Sequence, residues 1–319
     1  MTQHDEIRQV QEATRAIRHS TGRVIVGKEE VIDLLMVALL CEGHVLFEDV
    51  PGIGKTTLAK ALAKSLGCSF QRIQFTPDLL PSDITGITFY NQKSGEFEFR
   101  PGPLLTQFVL ADEINRATPR TQSALLEAME ERQITIERET LALPRPFIVI
   151  ATQNPVELEG TFPLPEAQLD RFLMRLRLDY PSQTEERLIL QRFKEQQPLQ
   201  ELQPVLDAVT LQELQKIIRH VYVEPVVESY IVELVRATRT HNAVELGVSP
   251  RGTLALYRAV QAYAAIHGRN YTIPDDVKRL AHPVLAHRMI ATSQSHLHGD
   301  VMDQIIDDVL RTVAVPVES

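Results

Sequence analysis

The stretch that decides the fold is Asp49-Val50-Pro51-Gly52-Ile53-Gly54-Lys55-Thr56-Thr57, which follows the apolar run His44–Phe47 and leads into the helical pattern Lys55–Leu66. A chain that turns tightly from a strand into a helix presents several backbone N–H groups at the helix N-terminus, and these attract anions. Gly52 and Gly54 have no Cβ and would let the backbone approach a phosphate closely. The pattern predicts a phosphate-binding loop between the first strand and the helix.

The side chains of this loop suit a nucleoside triphosphate. Lys55 is placed to reach the β- and γ-phosphates, and the Thr56 hydroxyl is placed to ligate Mg²⁺. The usual P-loop pattern has glycine where this chain has Asp49, and a carboxylate facing phosphate would be repelled. We therefore expect the Asp49 side chain to turn away. The residues predicted to bind the nucleotide phosphates are Pro51, Gly52, Ile53, Gly54, Lys55, Thr56 and Thr57.

A second apolar run, Phe108-Val109-Leu110-Ala111, ends in the adjacent acids Asp112 and Glu113. Ligands of open α/β sheets bind at the carboxyl ends of the strands, so both acids are predicted to lie near the loop. Asp112 would hold Mg²⁺ through water, and Glu113 would polarise the attacking water. Together with the lysine loop, this pair indicates a P-loop nucleoside triphosphatase.

Asn154 follows the next apolar run, Phe147–Ala151, and brings an amide to the same predicted edge. It could hydrogen-bond the γ-phosphate or the attacking water. Its alternative role is to cap the turn before Pro155, and the sequence leaves both open.

The distribution of apolar runs predicts an α/β unit followed by a helical one. Five short runs separated by helices or longer excursions favour a five-stranded, mostly parallel sheet; they are His44–Phe47, Phe70–Phe75, Phe108–Ala111, Phe147–Ala151 and Phe172–Leu178. Two excursions alternate apolar and polar residues and are predicted to be β-hairpins, Thr88–Phe99 and Gln133–Leu143. We place the α/β core at residues 1–181.

Beyond Pro181 almost every segment has helical spacing, which predicts an all-α second domain over residues 182–319. The predicted helices are Glu185–Gln196, Leu211–His220, Pro225–Thr240, Pro250–His267, Pro274–Met289 and Val301–Val313. His282 and His287 are five residues apart and do not share a helix face, so we interpret them as surface or cap histidines rather than metal ligands.

Charge and hydropathy restrict the classes of partner and the location that the sequence predicts. A formal net charge of -9 at pH 7 disfavours nucleic acid as the main partner, since binding to its backbone requires basic surface. The longest near-apolar run, Val31–Cys41, contains Asp33 and is too short to span a bilayer. The first residues lack the pattern of a signal peptide. We expect a cytoplasmic protein with no membrane insertion.

The chain resembles the MoxR family of AAA+ ATPases over nearly its whole length. The most specific segments of this resemblance are Glu48–Thr56, Ala111–Ala117, Gln122–Met129, Ala151–Pro155 and Leu164–Phe172. The resemblance implies an AAA+ core with two hairpin insertions and an all-α lid, with ATP as substrate and Mg²⁺ as cofactor. It also allows the non-glycine residue at Asp49.

The resemblance assigns further site residues. Asn154 corresponds to sensor 1, and Val26 and Gly27 correspond to a segment that contacts adenine. Arg171 corresponds to the arginine finger supplied to a neighbouring subunit's ATP, although nearby Arg175 could take that role. Arg251 corresponds to sensor 2 in the first turn of a lid helix, after Ser249 and Pro250.

The biological role implied by the resemblance is a homo-oligomeric, hexameric ring with chaperone-like remodelling activity. Such a ring would act with a von Willebrand factor A domain partner on a client protein, sometimes inserting a metal cofactor into an enzyme. Two alternatives stay open: a nucleic-acid-associated AAA+ protein and a magnesium-chelatase-like ATPase subunit. The acidic balance and the second hairpin, in which Arg138 is the sole basic residue, disfavour the first. A switch that only holds ATP is disfavoured by Glu113.

Overall fold

The computed structural model describes residues 3–136, 139–155, 160–194, 197–292 and 301–316. The strands, in chain order, are β1 Val45–Glu48, β2 Phe70–Gln74, β3 Gly86–Asn91, β4 Glu96–Pro101, β5 Phe108–Asp112, β6 Gln133–Ile136, β7 Glu139–Ala142, β8 Ile148–Gln153, β9 Met174–Leu176, β10 Val244–Leu246 and β11 Ile290–Ala291. The helices are α1 Gln3–Gly22, α2 Glu29–Leu40, α3 Lys55–Ser65, α4 Pro81–Thr85, α5 Pro119–Glu131, α6 Glu166–Leu169, α7 Gln183–Phe193, α8 Pro198–Glu201, α9 Ala208–Ile217, α10 Pro225–Thr240, α11 Pro250–Ile266, α12 Pro274–Leu285 and α13 Val301–Thr312.

The central sheet has five strands in the order β2-β5-β8-β1-β9. Every neighbouring pair is parallel, so the predicted five-stranded sheet is confirmed. The apolar runs became central strands because both faces of β5 and β8 are covered and their side chains are almost all buried. The register places Gln74 beside Asp112 and Glu48 beside Gln153, which gathers polar residues at the carboxyl edge.

Both predicted hairpins are present as separate antiparallel pairs, β3–β4 and β6–β7. In the first, Tyr90 and Phe97 face each other in an edge-to-face arrangement, with ring centroids 5.3 Å apart. Their exposed fractions of 54% and 74% give this hairpin an apolar surface open to solvent. Arg138, which the sequence analysis assigns to the second predicted hairpin, lies outside the described residues.

The lid is mainly helical, as predicted, and two of its helices, α7 and α9, begin at residues whose side chains cap them. Ser182 begins α7 with a capping box, in which its hydroxyl accepts from the Glu185 N–H and the Glu185 carboxylate accepts from the Ser182 N–H. The last two residues of the predicted helix Glu185–Gln196 lie outside the described residues. The lid also contains the antiparallel pair β10–β11, whose three- and two-residue strands are too short to show a period in the sequence.

Among the described residues, two large apolar clusters are accompanied by a small third one around Val24. One of the two large clusters lies between the sheet and helix α5, around Val109, Leu125 and Phe147. The other is continuous from the N-terminal helices through the sheet into the lid, where α11 contacts both α1 and α2. No break in this second cluster marks the predicted boundary at residue 181, which stays a prediction. None of the described helices is long and apolar enough to cross a membrane.

Candidate nucleotide-binding site

The predicted phosphate loop lies between β1 and α3, and two glycines shape it. Gly52 has φ +88° and Gly54 has φ +100°, in the left-handed region that favours glycine. Lys55 Nζ donates to the carbonyl oxygens of Asp49 at 2.7 Å and Val50 at 3.0 Å. Burial lowers the pKa of Lys55, while Asp49, Asp112 and Glu113 act in the opposite direction. The lysine is therefore held against the loop that it would serve.

Asp49 turns its carboxylate away from the loop interior, as expected from the sequence. Its Oδ2 accepts a hydrogen bond from the backbone N–H of Leu178, which follows β9. Its own N–H donates to the carbonyl of Gln153 at 3.1 Å. The residue that replaces the usual glycine thus ties the loop to the end of two neighbouring strands.

Asp112 is held at the end of β5 by two side chains. Its Oδ1 accepts from the Thr152 hydroxyl at 2.6 Å. Its Oδ2 accepts from Arg72 Nε at 3.0 Å and Nη2 at 2.7 Å. The sequence interpretation did not include Arg72, which reaches the acid because β2 lies beside β5 in the sheet.

Glu113 has φ +58°, a left-handed conformation that costs a non-glycine residue about 1–3 kcal/mol and often marks a functional site. Its N–H donates to the Thr152 hydroxyl at 2.8 Å. Its Oε2 accepts from Gln74 Nε2 at 2.7 Å and pairs with Arg116 Nε at 3.2 Å. Both donors contact Oε2, so this one oxygen of the carboxylate is occupied by protein groups.

A cavity of about 390 Å³, here called the phosphate cavity, brings together residues predicted to bind phosphate and Mg²⁺ and two of the four predicted catalytic residues, Glu113 and Asn154. Lys55, Thr56, Asp112, Glu113 and Asn154 all line it. Arg72, Gln74 and Thr152 line it as well and were not predicted. The phosphate loop, the acids at the end of β5 and the end of β8 thus meet in one cavity.

A second cavity of about 420 Å³, here called the apolar cavity, shares the loop residues Gly52 and Gly54 with the first. Val26 lines it, together with Ile53. Three further lining residues were not predicted: Tyr180, just before the predicted boundary, and Ile189 and Phe193 on α7. Its apolar walls and its continuity with the loop suit a nucleotide base.

Gly27, predicted beside Val26, lines a different cavity, which also includes Arg175. Gly27 has φ +70°, in the left-handed region that favours glycine. The structure thus gives Gly27 a conformational reason to be glycine, and its predicted contact with adenine stays a prediction.

Arg171 and Arg251 do not line the phosphate cavity. They line a separate space of about 390 Å³, here called the arginine cavity, together with Arg132, Arg258 and Arg288. Arg171 Nε lies 3.0 Å from Glu130 Oε2, and Arg251 Nη2 bonds the other oxygen of the same carboxylate. Arg175 lies elsewhere, on β9, and pairs with Glu48 at 3.1 Å.

A buried ion pair fixes the loop that carries Arg171. Arg288 Nε donates to Asp170 Oδ1 at 2.7 Å, and burial lowers the pKa of Arg288 to about 10. Asp170 Oδ2 also accepts from the Ser249 hydroxyl at 3.3 Å. His287, predicted at the surface, is instead only 3% exposed, with Nε2 3.0 Å from the Phe172 carbonyl. That prediction was wrong because the helix spacing did not show that this end of α12 packs on β9.

With this geometry in hand, the chain was compared with known proteins. Residues 44–174 match the family described as "ATPase family associated with various cellular activities (AAA)", and residues 236–316 match an AAA lid domain. Chaperone MoxR1 of Mycobacterium tuberculosis is 42% identical over 303 residues, covering 92% of this chain and 80% of that protein. This chain belongs to the MoxR family of AAA+ ATPases.

A further relative and a solved structure show the same extent of likeness. The uncharacterized protein YeaC of Bacillus subtilis is 52% identical over 304 residues, with 95% of each chain covered. A crystal structure of a protein from Cytophaga hutchinsonii assigned as an ATPase superposes with a TM-score of 0.92, at 38% identity and 98% coverage of both chains. The MoxR architecture of core and lid therefore extends over almost the whole chain.

Proposed function

We propose that this MoxR-family protein binds ATP across the phosphate and apolar cavities and hydrolyses it with Glu113 as the base. Membership of an AAA+ ATPase family supports ATP hydrolysis in general terms. The observation that carries the specific assignment is the convergence of Lys55, Thr56, Asp112 and Glu113 on one cavity. The adenine ring of ATP would lie between Val26 and the start of the lid, and its phosphates would lie at Pro51–Thr57.

The chain supplies charge and donors for the triphosphate. Lys55 would exchange its two carbonyl partners for the β- and γ-phosphates. Thr56 and Asp112 would hold Mg²⁺, which neutralises phosphate charge when bound. Among the described residues no group of three or more His, Cys, Asp or Glu could hold a metal, so water and phosphate oxygens would complete its coordination.

Hydrolysis would proceed by attack of water on the γ-phosphorus. As the new P–O bond forms, the bond between the γ-phosphorus and the bridging oxygen breaks, and ADP leaves with that oxygen. Glu113, released from Gln74 and Arg116, would take the proton of the water. Asn154, in the same cavity, would orient the water or hydrogen-bond the γ-phosphate.

The two arginines point to a shared active site. Arg171 and Arg251 face the arginine cavity rather than the phosphate cavity of their own subunit. We infer that both serve the ATP of a neighbouring copy, with Arg171 as the finger in preference to Arg175. A homo-oligomeric ring, proposed to be hexameric, would place each phosphate cavity against the next arginine cavity.

The biological role that we propose is chaperone-like remodelling of a client protein or metalloenzyme, with a von Willebrand factor A domain partner, in the cytoplasm. The name Chaperone MoxR1 of a relative supports this role. The exposed aromatic residues of the β3–β4 hairpin offer a surface that such an ATPase could move against a client. A magnesium-chelatase-like ATPase subunit is the second candidate function. A nucleic-acid-associated AAA+ protein is the third, and a test for nucleic-acid binding at low salt would address it.

Mixing two variants tests the shared site. Arg171→Ala retains Glu113, and Glu113→Gln retains Arg171, so each should be inactive alone. In mixed rings, a subunit with intact Glu113 abuts one with intact Arg171, and ATP turnover should partly return. Mixed rings verified by mass that show no recovery, or full activity in a strictly monomeric preparation, would contradict the proposal.

A further inference from the structure

The carboxylate of Glu130 stands between the two arginines of the arginine cavity. One of its oxygens contacts Arg171 and the other contacts Arg251. These arginines lie on a loop after α6 and on the first turn of α11, so a single acid joins the core to the lid at this point. Glu130 itself is the penultimate residue of α5.

The charges of the cavity do not balance. Its lining contains five arginines and three acids. Glu42 forms an ion pair with Arg132, and Asp170 forms one with Arg288. Glu130 is shared by Arg171 and Arg251. Arg258, two turns along α11 from Arg251, makes no ion pair with any described residue. The cavity therefore keeps an excess of positive charge that a polyanion would neutralise better than Glu130 does.

The contact with Glu130 is open to exchange. The Glu130 and Arg171 side chains are 32% and 31% exposed, so water and ligands can reach the pair. Exposed ion pairs are worth about 0.2–1 kcal/mol each, whereas charge-assisted bonds from arginine to phosphate are stronger and can be bidentate. A triphosphate that enters the cavity would displace the carboxylate.

We propose that Glu130 holds Arg171 and Arg251 in place of the neighbour's ATP while a subunit is alone, and releases them when the ring closes. This inference rests on the proposed shared site, and it adds the Glu130 carboxylate as a competitor of ATP for the two arginines. Glu130 is a positioning residue that keeps both guanidinium groups side by side and partly neutralises their charge. The same contact opposes assembly, because it must be broken before the arginines can bind phosphate.

The test compares Glu130→Gln with Glu131→Gln, which removes the same charge at the next, exposed residue of α5. The full chain is assayed for ATP turnover over a range of protein concentrations, and each curve is normalised to its own plateau. We expect the midpoint of Glu130→Gln to fall by about 2- to 30-fold, the range that two exposed ion pairs supply. Glu131→Gln should follow the wild type. A merely structural role of Glu130 would raise the midpoint instead.

Sedimentation velocity in the presence of ATP gives a second readout. Glu130→Gln should assemble at lower protein concentration than the wild type, and the shift should vanish in a background that carries Arg171→Ala and Arg251→Ala. A Glu130→Gln midpoint equal to or above that of the wild type would overturn this inference alone. A wild type whose specific activity does not change with concentration would overturn the proposed shared site and, with it, this inference.

Discussion

The phosphate cavity and the arginine cavity are built in different ways. The first collects a loop and two strand ends from one edge of the sheet, and it sets Asp112 and Glu113 against Lys55 and Arg72, while the carboxylate of Asp49 is bonded to the Leu178 N–H. The second collects a helix end, a loop and a lid helix and has five arginines against three acids. Only the second cavity thus has an excess of positive charge. A triphosphate bound at the phosphate cavity of a neighbouring copy would neutralise that excess, which favours a site shared by two copies.

The largest expected effect separates the roles of the two cavities. Arg171→Ala should bind ATP with nearly unchanged affinity but hydrolyse it about 10³–10⁵-fold more slowly, as expected for loss of an arginine finger. Calorimetry with a non-hydrolysable analogue and single-turnover kinetics measure the two quantities. Arg175→Ala is the matched control, since Arg175 pairs with Glu48 outside the arginine cavity. Comparable loss of rate in Arg175→Ala alone would reverse the assignment.

Within the phosphate cavity, Glu113→Gln isolates the chemistry. The amide retains size and hydrogen bonding but cannot accept the proton of water, so turnover should fall about 10²–10⁴-fold while ATP stays bound. Glu127→Gln, at an exposed position of α5, controls for the loss of one charge. If Glu113→Gln turns over at the wild-type rate, another residue is the base.

Lys55→Ala should lower the affinity for ATP. The loss of a charged donor to two phosphates corresponds to about 100-fold or more in affinity, at roughly 1.5–3 kcal/mol for each charge-assisted hydrogen bond. Isothermal calorimetry measures it directly. Lys60→Ala, an exposed lysine further along α3, should bind ATP normally. An unchanged affinity in Lys55→Ala would refute the assignment of the loop.

The smallest effect concerns stability and His44, a buried residue that lines the arginine cavity. Its Nδ1 accepts from the Val149 N–H and its Nε2 lies 3.0 Å from the Met129 carbonyl, which joins β8 to the end of α5. Burial lowers its pKa from 6.5 to about 4. The unfolded chain takes up the proton first, so stability is present above pH 6.5 and is lost as pH falls toward 4.

The contribution of His44 amounts to roughly 3 kcal/mol by pH 4, at 1.36 kcal/mol for each pKa unit. His44→Gln should flatten the fall in the free energy of unfolding between pH 6.5 and pH 4, measured by urea titration. His282→Gln is a control of opposite sign, because the hydrogen bond that His282 donates to Asp303 raises the pKa of His282, and its stabilising effect is lost as pH rises. Parallel curves for wild type and His44→Gln would contradict this account.

The contrast between the cavities also explains what could be predicted from sequence. Lys55, Thr56, Asp112 and Glu113 stand in short motifs at strand ends, and parallel strands end at one edge, so their meeting followed from topology. Arg72 and Gln74 are two residues apart on one predicted strand and so share a face of it, and both could have been placed near Asp112 had the strand order been known. Strand order is a long-range property that apolar runs do not encode.

The contact of Glu130 with two arginines could not be predicted from the sequence for a different reason. At the end of an amphipathic helix an acid is ordinarily a solvated residue, and no local pattern relates position 130 to positions 171 and 251. The same holds for Tyr180, Ile189 and Phe193, which border the apolar cavity only because the lid returns to the loop. The short pair β10–β11 was missed because two- and three-residue strands have no measurable period.

The apolar cluster that runs from α1 and α2 into α11 has a consequence for cooperativity. Helices at both ends of the chain bury their apolar faces against each other, so a chain cut at residue 181 would leave side chains such as Val10 and Leu35 facing water. We expect such a fragment to aggregate rather than fold independently. In scanning calorimetry the intact chain should melt with core and lid in one endotherm, and any lid rotation during turnover must carry the N-terminal helices with it.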